Sequence, residues 1–408
     1  MERLTSRQAI EKMALRFAWY LPLLGSRQVE EAKDRDWESL PLITASVLET
    51  HYYSDRNPLA GRDGVHGYQT SGTSSGRRKS IYYSEPDEEH YIRIKLDVFR
   101  TILGSSRYRT AVADMGTGHA EATAVEVFRR LGMEVESVSF RLPVERHIEM
   151  LSDFKPEVLY TMPSILERIL HASENPASYG IRHVILVGEI AAPAWIERTA
   201  DRLGIGKACI TDTYGSIEIG TIAYFSHQHG RYLLAEGLVA EGKRPEEIGA
   251  DLEPLADDEE RVLVLTSTVR EAFPAVRYVT YDVVRDLRPI WAEGSWRQSF
   301  RSIVKRIGPD LKHGEKISIY DIESVVFRHL EQASVRVKVA GNALIVYIHG
   351  PQPAAEQLEQ IRHDLEHRIP EIGTMISSGL LDRIQVLGGA FEDETYRGTV
   401  KNKKIVYE

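Results

Sequence analysis

The chain has 408 residues, of which 42% are hydrophobic and 27% charged, and its formal net charge is −9. That length calls for two or three domains, and the composition is ordinary for a globular protein, which excludes disorder as the main state. The acidic balance argues against a nucleic-acid partner while leaving room for a local basic patch.

No window approaches the roughly 18 consecutive apolar residues of a membrane span, so no membrane partner is expected. The short apolar stretch Phe17 to Gly25 follows charged residues and lacks a small-x-small cleavage site, which favours an amphipathic first helix over a signal peptide. Cys209 is the only cysteine, so neither an internal disulfide nor a thiolate zinc cage can form. A cytoplasmic soluble enzyme fits these facts, and none of them names a reaction.

Helical spacing predicts a helix over Glu11 to Leu24, followed by a charged surface stretch from Val29 to Leu40. Strands and helices then alternate. Strands are predicted at Arg109–Ala113, Met133–Phe140, Val158–Thr161, His183–Val187 and Lys207–Thr213. Helices are predicted at Ala120–Leu131, Val144–Phe154, Pro163–Ala172 and Ala192–Leu203, the third opened by its proline. This alternation indicates βαβ units, hence an α/β fold with mostly parallel sheets and flanking helices. Cys209 falls in the last of these strands as a small buried thiol. From Tyr232 to Tyr281 the pattern turns to hairpins, with β-rich stretches at Arg261–Thr266 and Val276–Tyr281.

Glycine and proline break the chain at Arg306-Ile307-Gly308-Pro309-Asp310. Residues 1–307 read as a large N-terminal body and 308–408 as a small mobile α+β domain. The latter combines a helix over Ile319–Leu330, a hairpin of Ser334–Val339 and Ala343–Ile348 turning at Gly341-Asn342, a helix over Ala354–His367 and a strand at Ile384–Leu387. Its basic tail, Tyr396 to Glu408, taken alone reads as a solvated end.

The segment Thr70-Ser71-Gly72-Thr73-Ser74-Ser75-Gly76-Arg77-Arg78-Lys79 combines small residues, hydroxyls and cations, which suits phosphate oxygens. It is not a P-loop, because three residues rather than four separate its glycines. Taken alone it reads first as a flexible Ser/Gly loop. Gly188-Glu189 and Asp212-Thr213-Tyr214-Gly215-Ser216-Ile217-Glu218 close successive predicted strands, where open α/β sheets bind ligands. Tyr214 suits a base, or a packed core; Glu218 suits a metal–phosphate group, or a solvated helix start. Asp282, after Arg277-Tyr278-Val279-Thr280-Tyr281, sits at a strand end able to accept from two vicinal hydroxyls, or in a turn.

Together, from about Tyr68 onward, these segments resemble the adenylate-forming superfamily of acyl- and aryl-acid ligases, and most closely its phenylacetate–CoA ligase branch. Thr70 to Lys79 matches the superfamily phosphate loop, with one extra residue and no proline. Gly188-Glu189 resembles its adenine-contacting turn. Tyr214 to Glu218 resembles the Y-G-x-[ST]-E motif, with Ile217 in place of a hydroxyl. Tyr278 to Asp282 resembles Y-R-T-G-D. The resemblance implies that Tyr214 stacks on adenine, Glu218 coordinates Mg²⁺ and Asp282 holds the ribose hydroxyls. Arg306 corresponds to the family arginine at the hinge. Gly308 to Asp310 would form the pivot, with Lys312 and Gly314 in the following thiol-step segment. Lys404 corresponds to the catalytic lysine, with Lys401 and Lys403 as neighbouring alternatives. His119, in Met115-Gly116-Thr117-Gly118-His119, would contact the bound acid, or cap a helix. Tyr68, Tyr160, Met162 and Pro163 would wall the acid pocket, or pack in the core. His227-Gln228-His229 has alternating spacing but no second ligand pair nearby.

The activity implied is that of an ATP-dependent acid–thiol ligase. A carboxylate attacks the α-phosphate of ATP, pyrophosphate leaves, and the acyl group passes to a thiol. Mg²⁺ and lysine supply the electrostatics without a protein nucleophile. The resembled branch implies a small aromatic acid and an acceptor that is either CoA or the phosphopantetheine of a carrier protein. A dihydroxybenzoate ligase for a siderophore carrier protein is one variant. A homodimer fits the branch. A nucleotide-binding regulatory protein that has lost catalysis is the alternative from another class, motivated by the altered loop and hinge.

Overall fold

The computed structural model describes residues 6–24, 38, 40–54, 57–69, 79–115, 119–250, 252–307, 319–330, 333–340, 343–349, 353–369, 372–373, 376, 381–389 and 405–407. In chain order, helices α1 (Ser6–Arg16), α2 (Tyr20–Leu24) and α3 (Ala45–His51) precede strands β1 (Val65–Gln69) and β2 (Ser80–Ser84) and a long helix α4 (Glu85–Leu103). Then follow β3 (Thr110–Asp114), α5 (His119–Arg130), β4 (Glu134–Val138), α6 (Val144–Phe154), β5 (Val158–Thr161), α7 (Pro163–Ala172), β6 (His183–Val187) and α8 (Pro193–Leu203). Strands dominate next: β7 (Ile210–Ser216), β8 (Gly220–Ser226), β9 (Arg231–Leu234), β10 (Leu238–Lys243), β11 (Glu260–Ser267), β12 (Tyr278–Arg285), β13 (Arg288–Ala292), β14 (Ser295–Phe300) and β15 (Ser302–Arg306). The C-terminal part holds α9 (Ile319–Val326), β16 (Ser334–Ala340), β17 (Ala343–His349), α10 (Ala355–Arg368), β18 (Gln385–Gly388) and β19 (Ile405–Tyr407).

The chain divides into two compact units. One comprises Met1–Arg109, Gly118–Val135 and Thr211–Leu311; the other comprises Thr110–Thr117, Glu136–Ile210 and Lys312–Glu408. The first unit is built on antiparallel ladders. One runs β10-β11-β12-β15, and another runs β13-β14-β9-β8-β7. Val262, Val264, Val279 and Val283 form a buried β-branched layer between paired strands. Such residues are stiff and fill a pleated surface well.

In the second unit β3, β5 and β6 pair in parallel. All four residues of β5 are buried, including the polar Thr161 at its end, as expected of a strand covered on both faces. Helices α7 and α8 cover this layer with Leu166, Ile169 and Trp195. The C-terminal part adds a four-stranded sheet, β18-β17-β16-β19, with its own core of Val335, Val337, Leu344, Val346, Ile361 and Leu365. Burying each such aliphatic side chain contributes about 1.5–3 kcal/mol. The fold is thus α/β with a small α+β C-terminal part. Among the described residues, no helix is long and apolar enough to cross a membrane.

Several local expectations change. The predicted first helix is two helices, because Phe17–Trp19 break it and bury Phe17. Cys209 sits in a 3₁₀ turn before β7, not in the strand. The long helix α4 has no counterpart in the sequence reading. Its start is a capping box: the Ser84 side chain accepts from Asp87 N, and Asp87 accepts from Ser84 N. The end of the basic tail is ordered as β19, whose Ile405 pairs in parallel with Val337 of β16.

Candidate active site

Asp282 lies inside β12 and not at a strand end as the sequence suggested. The ladder to β11 slips between Val262 and Val264, where three residues of β12 oppose one. Tyr281 occupies the bulge with φ of 63°, a conformation that L side chains rarely adopt and that re-aims the following residue. Three contacts hold the bulge. The Tyr281 hydroxyl accepts from Ala45 N at 3.0 Å, the Thr280 hydroxyl donates to Leu263 O at 2.8 Å, and Asp282 N donates back to Thr280 Oγ1 at 3.1 Å. The Asp282 carboxylate accepts a hydrogen bond from the Tyr214 hydroxyl on β7. The Arg306 guanidinium, at the end of β15, lies 3.5 Å from its other oxygen. Burial, then the Asp282 charge, pushes the Tyr214 phenol far above its usual range. The same carboxylate is the main reason Arg306 holds its proton more tightly than usual. Three predicted site residues, 68 and 24 positions apart in sequence, therefore meet.

Glu218 lies in the turn of an antiparallel hairpin, β7 to β8, and not at the helix start that was one of its two readings. Gly215 permits it: a Cβ there would lie 2.8 Å from the Gly220 carbonyl oxygen. The Ser216 hydroxyl accepts from Ile219 N at 3.3 Å and closes the turn. Two side chains outside the sequence motifs fix its backbone. The Tyr83 hydroxyl donates to Ile217 O at 2.6 Å, and Arg270 Nε donates to Glu218 O at 3.0 Å. Arg270 also donates to Tyr82 O at 2.7 Å, pairs with buried Asp87 and stacks 3.6 Å over the Tyr83 ring. The only local cue to this assembly was the Ser84-x-x-Asp87 spacing, since Arg270 reaches it from 183 positions away.

The Glu218 carboxylate lies among Tyr53, Tyr278 and Arg306, each of which it influences electrostatically. Among the described residues no hydrogen bond or ion pair engages it. A hard carboxylate with no protein partner among the described residues fits Mg²⁺, which keeps several waters and takes one or two protein ligands. Lys79 pairs with Glu49 at 2.5 Å and lies 4.8 Å over the Tyr53 ring. Thr70 to Gly76 lie outside the described residues, as do Gly308, Asp310, Lys312, Gly314 and Lys404.

His119 opens α5 inside a box of tyrosines. Ring centroids of Tyr68, Tyr91 and Tyr83 lie 4.3, 4.6 and 4.8 Å from its own. Its Nδ1 is 3.4 Å from Glu88 Oε2, while the Tyr68 hydroxyl donates to Glu88 Oε1 at 2.7 Å. Burial, with the nearby cations Lys95 and Arg270, pushes His119 down to about 4. Lys95, itself pushed down to about 7 by burial, donates to Ala120 O and Thr123 Oγ1 at the same helix start. Glu88 and Lys95 were missed because α4 was missed.

Asp212 is a core residue of β7. Tyr232 donates to its Oδ2 at 2.5 Å, and burial raises its carboxyl to about 7. In the second unit, Gly188 takes φ of 81° after β6, a turn that favours glycine. Glu189 accepts from both the backbone N and the hydroxyl of Ser164 at 2.8 Å. It therefore caps the start of α7, whose own N-cap Met162 offers no side-chain bond. Tyr160 and Met162 are buried in this unit's core. His227 packs against Phe225 at a hairpin turn.

Comparison with known proteins bears on the whole chain. It is 36% identical over 388 residues to fumarate–(S)-2,3-diaminopropanoate ligase of Enterobacter agglomerans, covering 94% of this chain and 95% of that one. It is 25% identical over 362 residues to phenylacetate-coenzyme A ligase of Escherichia coli (strain K12), covering 82% and 78%. Residues 312–392 match the fumarate–diaminopropanoate ligase C-terminal domain family. The fold superposes on 2-hydroxyisobutyryl-CoA ligase with a TM-score of 0.76 at 15% identity, over 98% of this chain and 88% of that one. The chain belongs to the fumarate–(S)-2,3-diaminopropanoate ligase family, and is an ATP-using, AMP-forming member of the adenylate-forming ligases.

Proposed function

We propose that the enzyme activates one carboxylate of a short dicarboxylic acid of the fumarate class as an acyl adenylate, then passes the acyl group to an amine, giving an amide. The observation that carries this reading is the end-to-end similarity to a ligase that joins fumarate to 2,3-diaminopropanoate. Asp282 holds the ribose hydroxyls, with Tyr214 against the base and Gly188-Glu189 in the adenine turn. Glu218 holds Mg²⁺, which supplies charge neutralisation on the phosphates. Thr70 to Gly76 and Lys79 bind the phosphate oxygens, and Arg306 adds charge beside Asp282. Residues 308–408 form a lid that brings Lys404 to the adenylation site and turns about Gly308 to Asp310. Lys404 stabilises charge developing on the α-phosphate and the attacking carboxylate. Consumption of ATP suits a cytoplasmic enzyme.

A second reading keeps an aromatic acid and a thiol acceptor, CoA or phosphopantetheine. It draws on the Tyr68, Tyr83 and Tyr91 rings around His119 and on the phenylacetate-coenzyme A ligase similarity. ATP–pyrophosphate exchange across fumarate, succinate, phenylacetate, benzoate and 2,3-dihydroxybenzoate separates the two. Exchange strongest with a dicarboxylate, and an amide product with 2,3-diaminopropanoate, supports the first. Exchange confined to the aryl acids and a product only with a thiol establishes the second.

A further inference from the structure

An amide-forming ligase must strip two protons from its nucleophile, where a thiol ligase removes one. An aliphatic amine is an ammonium ion near neutral pH, and it must lose protons before and during attack. His119 is placed for this. Its side chain is 7% exposed, and among the described residues its buried Nε2 has no hydrogen-bond partner. The groups facing the ring are Glu88, Tyr68, Tyr83, Tyr91 and, through their charges, Lys95 and Arg270.

The tautomer follows from Glu88. A carboxylate oxygen 3.4 Å from Nδ1 favours a hydrogen on that nitrogen. The Tyr68 hydroxyl occupies the other oxygen of Glu88 and orients it. The ring position is set from the helix side, where Thr123 Oγ1 donates to His119 O at 2.8 Å and Lys95 Nζ donates to Thr123 Oγ1. Nε2 then carries a lone pair. A neutral imidazole in this state accepts hydrogen bonds there.

We infer that His119, held in this tautomer by Glu88, is the proton acceptor for the amine during acyl transfer. The inference rests on the amide-forming reading above. The ammonium first loses one proton to solvent, and the neutral amine nitrogen then forms a bond to the acyl carbon of the adenylate. The carbon–oxygen bond to the phosphate breaks, and AMP leaves with that electron pair. The proton shed by nitrogen passes to His119 Nε2 and then to solvent. The neutral ring matches the low value produced by burial and the two cations. The positively charged nitrogen of the adduct is much more acidic than a free ammonium, so a weak base suffices. His119 is in this scheme a catalytic residue and Glu88 a positioning residue.

The test compares two nucleophiles in the enzyme: 2,3-diaminopropanoate, and hydroxylamine, whose adduct nitrogen is the stronger acid and sheds its proton with little base assistance. Each variant's transfer rates are normalised to its own pyrophosphate exchange, which also reports folding of the site. His119→Ala should lower the diaminopropanoate-to-hydroxylamine ratio by at least about tenfold. Glu88→Leu should do the same, and Glu88→Gln, which keeps an acceptor oxygen, should recover most of the loss. An unchanged ratio in His119→Ala overturns the inference, as does a loss in Glu88→Leu that Glu88→Gln does not relieve. A wild-type enzyme that makes hydroxamate but no amide with any amine overturns the amide reading itself, and the inference with it.

Discussion

The Tyr214 hydroxyl donates to the Asp282 carboxylate, joining a strand of one antiparallel ladder to the bulged strand of another within the same unit. In the proposed nucleotide site, removing Asp282 should weaken ATP binding in two ways: the proposed ribose acceptor is lost, and Tyr214 loses the bond that orients its ring. A hydrogen bond to a charged group contributes about 1.5–3 kcal/mol. Asp282→Ala is expected to raise the KM for ATP roughly 10- to 100-fold, read by pyrophosphate exchange at varied ATP. A KM within error of wild type would remove Asp282 from the nucleotide site.

Arg270 ties the Glu218 turn to the start of α4. Its ion pair with Asp87 has side chains 3% and 0% exposed. Removing one partner of such a pair leaves a buried charge and costs about 3–5 kcal/mol. Arg270→Ala is expected to lower the urea midpoint by a corresponding amount and, in the folded fraction, to weaken Mg²⁺-dependent exchange. A midpoint unchanged from wild type would show that Asp87 finds another partner.

Asp212 gives a pH signature. Burial raises its carboxyl to about 7 in the folded chain, above its ordinary value of 3.8. The folded state thus holds a proton that the unfolded state releases first. Between about pH 4 and 7 the folded state binds more protons, so this group's contribution to stability falls as pH rises through that window. Asp212→Asn keeps an acceptor for Tyr232 and cannot ionise. It is expected to flatten the loss between pH 5 and pH 7 and to exceed wild type in urea midpoint at pH 8. Parallel pH profiles for the two proteins would contradict this.

Lys404→Ala is expected to reduce adenylation by about 10²–10³-fold, the effect of removing one preorganised electrostatic group. Transfer from preformed acyl adenylate should largely survive. Equal losses in both half-reactions would place the lysine elsewhere in the mechanism, and Lys401→Ala and Lys403→Ala distinguish its neighbours.

The central βαβ region was legible because its strands are short apolar runs punctuated by glycine and proline. The predicted Val158–Thr161, Pro163–Ala172 and His183–Val187 coincide with β5, α7 and β6. Local pattern failed where geometry depends on distant partners. Helix α4 carries its apolar residues among charges, including buried Lys95, so its face is hard to see without the cap. The Tyr214–Glu218 segment left a helix start open at Glu218, yet Gly215 lets two backbones approach and form a hairpin. The Asp282 bulge rests on contacts from Ala45 and Leu263 that no spacing rule anticipates. The motifs thus named Tyr214, Asp282 and Arg306, while the supports of the site, Tyr83, Asp87 and Arg270, are assembled by packing, with the Ser84-x-x-Asp87 cap as their one local cue.

The most direct test of the account is the product formed from fumarate, ATP and 2,3-diaminopropanoate by the full-length enzyme, identified by mass. The expected result is an amide joining the two, with AMP and pyrophosphate released in equal amounts. Pyrophosphate exchange only with aryl acids, with a thioester and no amide as product, would contradict it.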